Sequence, residues 1–61
     1  SGLLEAIRAL PRHYGTALYL FYYEGYSLDE VAKLCDCTPA TARMRLSRGR
    51  KRLAKELEVA Q

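Results

Sequence analysis

Most of the basic side chains of this 61-residue sequence lie in one ten-residue stretch near its C-terminal end. Six arginines or lysines occur from Arg43 to Arg52, and no acidic residue interrupts them. Residues 38–61 hold seven basic and two acidic groups, whereas residues 1–37 hold three basic and five acidic groups. Positive charge segregated in this way is typical of a surface that binds a polyanion.

The same segment carries an apolar stripe at helical spacing. At about 100° per residue, one face of the predicted helix holds Ala42, Leu46, Gly49, Leu53 and Leu57. We expect this stripe to face a core, because three apolar helices are predicted ahead of it. The opposite face combines small and basic side chains, namely Ala40, Thr41, Met44, Ser47, Arg48 and Lys51. Arg43 flanks that face on one side, and Arg45 and Arg52 flank it on the other.

Two other interpretations compete for the basic segment. A helix lying on a membrane surface needs large apolar residues facing the lipid, and a thin stripe with a glycine in it does not supply them. No run approaches the roughly 18 apolar residues of a spanning helix, so we expect no membrane insertion. A merely solvated charged face stays open, although such faces usually alternate Glu with Lys to form helix pairs.

Cys35 and Cys37 raise the question of metal or redox chemistry. Tetrahedral zinc takes four ligands, and the only histidine, His13, belongs to a different predicted helix. A free cysteine packs as a small hydrophobe, so we predict core packing for both, with a redox role left open. Reduced cysteines fit a cytoplasmic protein. Without a nucleophile and base at suitable spacing, or a glycine-rich phosphate loop, we expect no enzyme, metal or cofactor.

Length and composition predict one small all-α domain. At 49% hydrophobic and 28% charged residues, the composition is globular, and the length is near the lower limit for a single core. Helical spacing recurs along the chain, and strand-like alternation does not. We assign residues 3–61 to the domain and interpret Ser1-Gly2 as a cloning remnant.

Proline and glycine divide the N-terminal half into two helices. The first is predicted from Leu3 to about Ala9, and it ends before Pro11 because the residue preceding a proline is disfavoured in a helix. Pro11 suits the first turn of a second helix. That helix is expected to run to about Glu24, with Gly25 as a left-handed C-cap.

The C-terminal half begins with a capping box. Ser27 with Glu30 three residues later predicts the start of a short helix that ends near Cys35. Asp36 and Cys37 then form a tight turn. Thr38 is expected to cap a long final helix, with Pro39 at its first position and its end near Glu58.

A short helix, a tight turn and a longer helix together form a helix-turn-helix. In that arrangement the second helix enters the DNA major groove with its N-terminus first. Small side chains near this end allow close approach to base edges, while arginines favour phosphate. We predict that DNA is bound by Thr38, Ala40, Thr41, Arg43, Met44, Ser47, Arg48 and Lys51. Weaker phosphate contacts are predicted for Arg45, Arg52 and Lys55.

The tyrosines fall on two sides of the second predicted helix. Tyr14 and Tyr22 share one side with Leu18 and Phe21, whereas Tyr19, Tyr23 and Tyr26 share another. We expect most of them to lie in or near the core. A tyrosine that lies outside the core would suit a docking surface, because tyrosine is favoured at protein interfaces.

The segment from Leu10 to Leu53 resembles region 4, the C-terminal promoter-recognition domain of bacterial RNA polymerase sigma factors, and most closely the extracytoplasmic-function group. The resemblance covers about three-quarters of the chain in one register. The matching positions are Leu10-Pro11, Tyr14, Glu24-Gly25, Tyr26-Ser27, Glu30-Val31-Ala32, Thr41 to Leu46, Arg48-Gly49-Arg50 and Leu53.

The resemblance implies a fold in the winged-helix-like DNA-binding superfamily, without a wing. It also implies that the last helix reads double-stranded promoter DNA at the minus-35 element during transcription initiation. Two protein partners are implied, the flap of the polymerase beta subunit and an anti-sigma factor. The sequence does not choose between them.

Several residues depart from the family pattern. Gly15 stands where Arg is usual, Ala42 where Val is usual, Met44 where Ser is common, and Gly49 where Ala is common. We expect the two glycines and the lost valine methyls to weaken the helix or the core by on the order of 1 kcal/mol each. Asp36 occupies a position that is often Gly, and aspartate tolerates the left-handed conformation needed there.

One alternative function remains at this stage. The effector domain of a transcriptional repressor or a response regulator also contains a helix-turn-helix, but such proteins usually dimerise. A concentration-dependent dimer in sedimentation would favour that alternative.

Overall fold

The structure is a computed structural model that describes residues 2–60, with side-chain surroundings described for residues 2–58. Helix α1 spans Gly2–Ala9, α2 spans Arg12–Leu18 and continues as a π-helical segment over Tyr19–Tyr23, α3 spans Leu28–Leu34, and α4 spans Pro39–Ala60. Residues 2–60 contain no strand, and hence no wing. The predicted all-α fold with a helix-turn-helix is confirmed.

The interpretation of Ser1-Gly2 as a cloning remnant stays a prediction, since Ser1 is outside the described residues, and α1 already includes Gly2.

The corner between α1 and α2 differs in one detail from the prediction. Pro11 lies before the helix as its N-cap, with φ −51° and ψ 142°, and not inside the first turn. Its carbonyl accepts hydrogen bonds from the backbone N–H groups of Tyr14 and Gly15, each at 3.0 Å. Proline fixes φ but leaves ψ free. An extended ψ at this residue therefore turns the chain while its carbonyl still starts the helix.

The second helix was expected to be α-helical up to Glu24, and the structure shows a wider π winding in its last part. The N–H of Glu24 donates to the carbonyl of Tyr19 at 3.1 Å, which is the i to i+5 bond of a π-helix. The N–H of Tyr26 donates to the carbonyl of Leu20, also at 3.1 Å. Gly25 ends the segment with φ +77°, as predicted from its left-handed preference.

The expectation that most tyrosines lie in or near the core was wrong. Only Tyr14 among the five is buried, and Tyr22 and Tyr23 are exposed by 52% and 47%. Tyr19 and Tyr26 are exposed as well. The prediction assumed an α-helix with 3.6 residues per turn throughout, whereas Tyr19–Tyr23 are π-helical.

Helix α3 begins with the predicted capping box. The Ser27 N–H donates to Glu30 Oε1 at 2.8 Å, and the Glu30 N–H donates to Ser27 Oγ at 3.2 Å. Because the Glu30 carboxylate accepts the hydrogen bond of the Ser27 N–H, the pKa of Glu30 is lowered from its ordinary value. The helix ends at Leu34, one residue earlier than expected, with Cys35 as its C-cap.

Helix α4 packs against α1, α2 and α3 through the predicted stripe. Ala42 and Leu46 are exposed by 0% and 4%, Gly49 is buried, and Leu53 and Leu57 are half-buried. The main core is made of Leu10, Tyr14, Ala17, Leu18, Val31, Ala32, Ala42 and Leu46. One face of α4 is thus committed to holding the fold together.

The two departures to glycine have a packing reason that sequence did not reveal. A Cβ at Gly15 would lie 2.9 Å from the backbone oxygen of Ile7. A Cβ at Gly49 would lie 3.1 Å from Cδ1 of Leu18, which is fully buried. Glycine at these positions lets α2 approach α1 and lets α4 approach α2. The expected cost in helix propensity therefore accompanies a closer packing of three helices.

We predict that Gly15→Ala lowers the free energy of unfolding by about 1–2 kcal/mol. Alanine favours a helix by up to about 1 kcal/mol, but overlap with the main chain of Ile7 forces a backbone shift that costs roughly 1–3 kcal/mol. Urea unfolding followed by circular dichroism measures the difference. Gly2→Ala is the matched control, because a Cβ there meets nothing within 4 Å. Equal stability of the two variants would contradict the close approach of α1 to α2.

Candidate nucleic-acid interface

Helices α3 and α4 are joined by a short turn with a left-handed residue. Asp36 has φ +54°, the only positive φ of a non-glycine residue within residues 2–60, as anticipated for this position. The Cys37 N–H donates to the carbonyl of Ala32 at 2.9 Å, which satisfies an otherwise open helix end. Ala32 and Ala42 are buried on either side of the turn. The turn thus fixes the N-terminus of α4 relative to α3.

The N-terminus of α4 is capped as predicted. The Thr38 Oγ1 accepts the N–H of Thr41 at 3.1 Å, and the Thr38 carbonyl accepts the N–H of Ala42 at 2.9 Å. Pro39 is the first residue of the helix. Thr38, Pro39 and Ala40 are exposed. The positive end of the helix dipole therefore faces solvent among small side chains.

All eleven predicted DNA-contacting residues lie on α4 or at its N-cap. The exposed members are Thr38, Ala40, Arg43, Ser47, Arg48, Lys51, Arg52 and Lys55. Thr41, Met44 and Arg45 are half-buried. The buried stripe lies on the other side of the same helix. The structure thus leaves all eleven residues outside the buried stripe of α4, and their contacts with DNA stay a prediction.

Two arginines of the basic segment make contacts that sequence did not predict. Arg50 Nη1 donates a hydrogen bond to the Tyr22 hydroxyl at 2.9 Å. The Arg52 guanidinium lies 5.0 Å from the centre of the Tyr14 ring, in cation–π distance. Each contact links residues far apart in sequence, and one sequence alone carries no signal for such a pair. Arg50 is therefore drawn towards the π-helical segment, and Arg52 towards α2.

The site is an exposed face and not a preformed polar pocket. Within the described part of the chain, no buried side-chain nitrogen or oxygen lacks a hydrogen-bond partner. No group of three His, Cys, Asp or Glu side chains in that part is arranged to hold a metal ion. What the face offers is a row of guanidinium and ammonium groups beside small side chains, which suits an extended anion.

Cys35 and Cys37 pack as small apolar side chains, as predicted. Both are free thiols, both are half-buried, and both lie against the main core. Burial raises the pKa of the Cys35 thiol above its ordinary value, the nearby Cys37 adds to the rise, and the positive charge of Arg45 opposes it. A raised pKa leaves less of the reactive thiolate at neutral pH.

The fold and this face together define a helix-turn-helix DNA-binding domain. The family model of sigma-70, region 4, matches residues 2–53. The chain belongs to this family, whose role is in promoter recognition. The match favours a sigma-factor domain and not the effector domain of a repressor or response regulator.

Among the described helices, none is long and apolar enough to cross a membrane.

We predict that Cys35 is a slow nucleophile in the folded chain. In the variant Cys37→Ser, iodoacetamide should modify Cys35 more slowly near pH 7 than after unfolding in urea, because burial disfavours the thiolate. The rate should rise as the pH rises through the raised pKa. Mass spectrometry of quenched samples gives both rates. Faster modification of the folded chain would mean that Cys35 is an activated thiol and would reopen the redox interpretation.

Proposed function

We propose that α4 reads the minus-35 element of a promoter in the major groove while the domain is docked on core RNA polymerase. The observation that carries this proposal is the division of α4 into two sides. Ala42, Leu46 and Gly49 are buried against the other helices, so that the opposite side is left free for DNA. The 22 residues of this helix span about 33 Å at roughly 1.5 Å each.

The order of residues along α4 suggests a division of roles. Ala40 and Thr41 lie in the first turn, where small side chains let the backbone approach base edges. Arg48 lies about two turns further, and its planar fork can bind guanine or a nearby phosphate. Arg43 flanks the N-terminal end. These residues are the proposed base readers, with Thr38, Met44, Ser47 and Lys51 beside them.

Residues farther along or at the flanks are proposed to contact phosphates. Lys51, Arg52 and Lys55 lie farther along α4, where the helix leaves the groove and meets the DNA backbone, and Arg45 lies at the flank of the groove-facing side. The position of Arg52 over the Tyr14 ring supports this role, because a stacked guanidinium has less side-chain freedom to lose on binding. Such contacts set affinity and register and carry no base preference.

The exposed tyrosines support a protein-docking role for the π-helical segment. Tyr19 and Tyr23 stack with ring centres 5.3 Å apart and an interplanar angle of 16°. Tyr26, three residues beyond this segment, is also exposed. We propose this aromatic surface for the beta-subunit flap or for an anti-sigma factor. Membership of the extracytoplasmic-function group and a cytoplasmic location are parts of the same proposal, supported by the residue pattern.

We predict that duplex binding by this chain is weak and steeply dependent on salt. If about four phosphates are neutralised, the affinity should fall roughly a hundredfold between about 50 and about 200 mM monovalent salt. Fluorescence anisotropy with a labelled duplex measures the slope of log affinity against log salt. A flat dependence would count against phosphate contacts by the basic residues.

The main prediction separates base-specific recognition from nonspecific electrostatic attraction to DNA. Arg43→Ala and Arg48→Ala should each reduce the preference for an enriched duplex over a scrambled duplex by roughly 1–3 kcal/mol where a base contact is lost. The enriched duplex is first selected from a randomised pool at low salt. Lys55→Ala is the matched control, because loss of a phosphate contact weakens binding to both duplexes about equally.

The same variants also test, on promoters, the proposal that α4 reads the minus-35 element. In an initiation assay with core polymerase and a sigma factor that contains this domain, Arg43→Ala and Arg48→Ala should lower transcription from promoters with the selected minus-35 sequence. If both variants kept the full preference for the selected minus-35 sequence, α4 would not be the helix that reads this element.

A further inference from the structure

A cavity of about 420 Å³ lies between α1 and the second helix, away from the proposed DNA-binding face. Its nine lining residues all fall between positions 4 and 20, so α4 contributes none of them. The volume is within the range of roughly 300–1,000 Å³ that is usual for small-molecule sites. Each helix lines the cavity at helical spacing, with Leu4, Ile7 and Arg8 from α1, and Arg12, Gly15, Thr16, Tyr19 and Leu20 from α2 and its π-helical continuation.

The inner wall of the cavity is aliphatic, and its mouth is polar. Ile7 and Leu10 are buried, and Leu4 and Leu20 are half-buried, so these side chains form an apolar floor. Arg8, Arg12 and Thr16 are exposed and line the same cavity. An apolar floor with a few polar groups at its edge is the usual composition of a site for a small organic molecule.

The two arginines at the mouth are available to an anion. The side-chain hydrogen bonds formed within residues 2–58 involve neither Arg8 nor Arg12. Two positive charges beside one apolar cavity repel each other, and an anion bound between them relieves that repulsion. The planar fork of a guanidinium matches the two oxygens of a carboxylate, which can accept two parallel hydrogen bonds from it.

Gly15 gives this chain a wall that differs from the usual sigma region 4 pattern, in which Arg stands at that position. A Cβ at Gly15 would lie 2.9 Å from the backbone oxygen of Ile7, which also lines the cavity. The wall formed by α2 therefore carries no side chain at the point where α1 and α2 approach each other. The cavity thus depends on a residue that distinguishes this chain from the common pattern.

We propose that this cavity is a binding site for a small amphipathic carboxylate. An apolar body of about ten carbon atoms would lie on the aliphatic floor, with the carboxylate held by Arg8 and Arg12. An inorganic anion would leave the floor unused, and a neutral hydrocarbon would leave the guanidinium groups unpaired. Tyr19 lines the cavity and stacks on Tyr23, so a bound ligand would border the aromatic surface proposed for protein docking.

Titration of the isotope-labelled chain with octanoate, followed by two-dimensional NMR near pH 7, tests the site. Octanoate is ionised at this pH, and octanamide is the neutral probe with the same number of non-hydrogen atoms. Octanoate should shift the backbone amide signals of Gly15, Thr16 and Leu20 and saturate with a dissociation constant on the order of 1 mM, as expected for a ligand of about ten non-hydrogen atoms. Octanamide should bind at least about fivefold more weakly, because it lacks the charge-assisted hydrogen bonds.

Variants separate the roles of the charges and of the cavity. Arg8→Gln and Arg12→Gln should each lower the octanoate affinity roughly three- to tenfold and leave octanamide binding unchanged. Lys33→Gln is the matched control, because it removes one positive charge from an exposed residue of α3 that does not line the cavity. Thr16→Phe should abolish the binding of both probes by filling the cavity from an exposed position. Thermal unfolding followed by circular dichroism checks that each variant is folded.

Four results would overturn the proposal. The first is equal affinity for octanoate and octanamide, and the second is an unchanged octanoate affinity in both arginine variants. The third is a set of octanoate-induced shifts centred on the basic residues of α4, which would show nonspecific attraction of an anion. The fourth is a dimer in sedimentation that Thr16→Phe disrupts, because a second copy of the chain would then fill the cavity. None of these results bears on promoter reading by α4, which the duplex preferences of Arg43→Ala and Arg48→Ala test separately.

Discussion

The fold depends on the burial of one narrow side of α4 against three shorter helices. Ala42 is completely buried, and Gly49 brings the backbone of α4 so close to Leu18 that a methyl group would be crowded at 3.1 Å. Ala42 and Gly49 have little side-chain area to bury, so close approach is the way in which these two positions gain packing contacts. The same narrowness leaves most of the circumference of α4 free. The helix can therefore hold the core and present a basic face without a conflict between the two.

The parts of the fold that sequence predicted well are those fixed by local chemistry. The Ser27–Glu30 box, the left-handed Gly25 and Asp36, and the Thr38 cap each depend on a few neighbouring residues, and each is present in the structure. The face of α4 was also predicted, because 22 helical residues give the stripe several turns in which to repeat. Long, regular and locally capped elements carry their own signal.

The parts that sequence missed depend on contacts between distant segments. The π winding of Tyr19–Tyr23 replaced the expected α-helical turn, and the tyrosines of this segment are exposed. The bond from Arg50 to Tyr22 spans 28 residues, and the closeness of Gly15 to the Ile7 carbonyl requires that α1 and α2 be packed first. Propensity and periodicity describe each helix alone, so they do not report these relations. Periodicity placed the residues proposed to contact DNA outside the buried stripe, but it could not show that Arg50 contacts Tyr22 and that Arg52 contacts Tyr14.

The exposed tyrosines and the basic face lie on different elements, and this separation matters for a domain that is proposed to bind both DNA and a protein. Tyr14 is buried in the core, whereas Tyr19, Tyr22 and Tyr23 of the π-helical segment and Tyr26 beyond it are exposed. The bond from Arg50 to Tyr22 links α4 to the π-helical segment. An arginine engaged with a tyrosine hydroxyl keeps its charge, so it still adds to the positive field that attracts a duplex. The aromatic surface can therefore be occupied by a protein while the face opposite the buried stripe remains open to DNA.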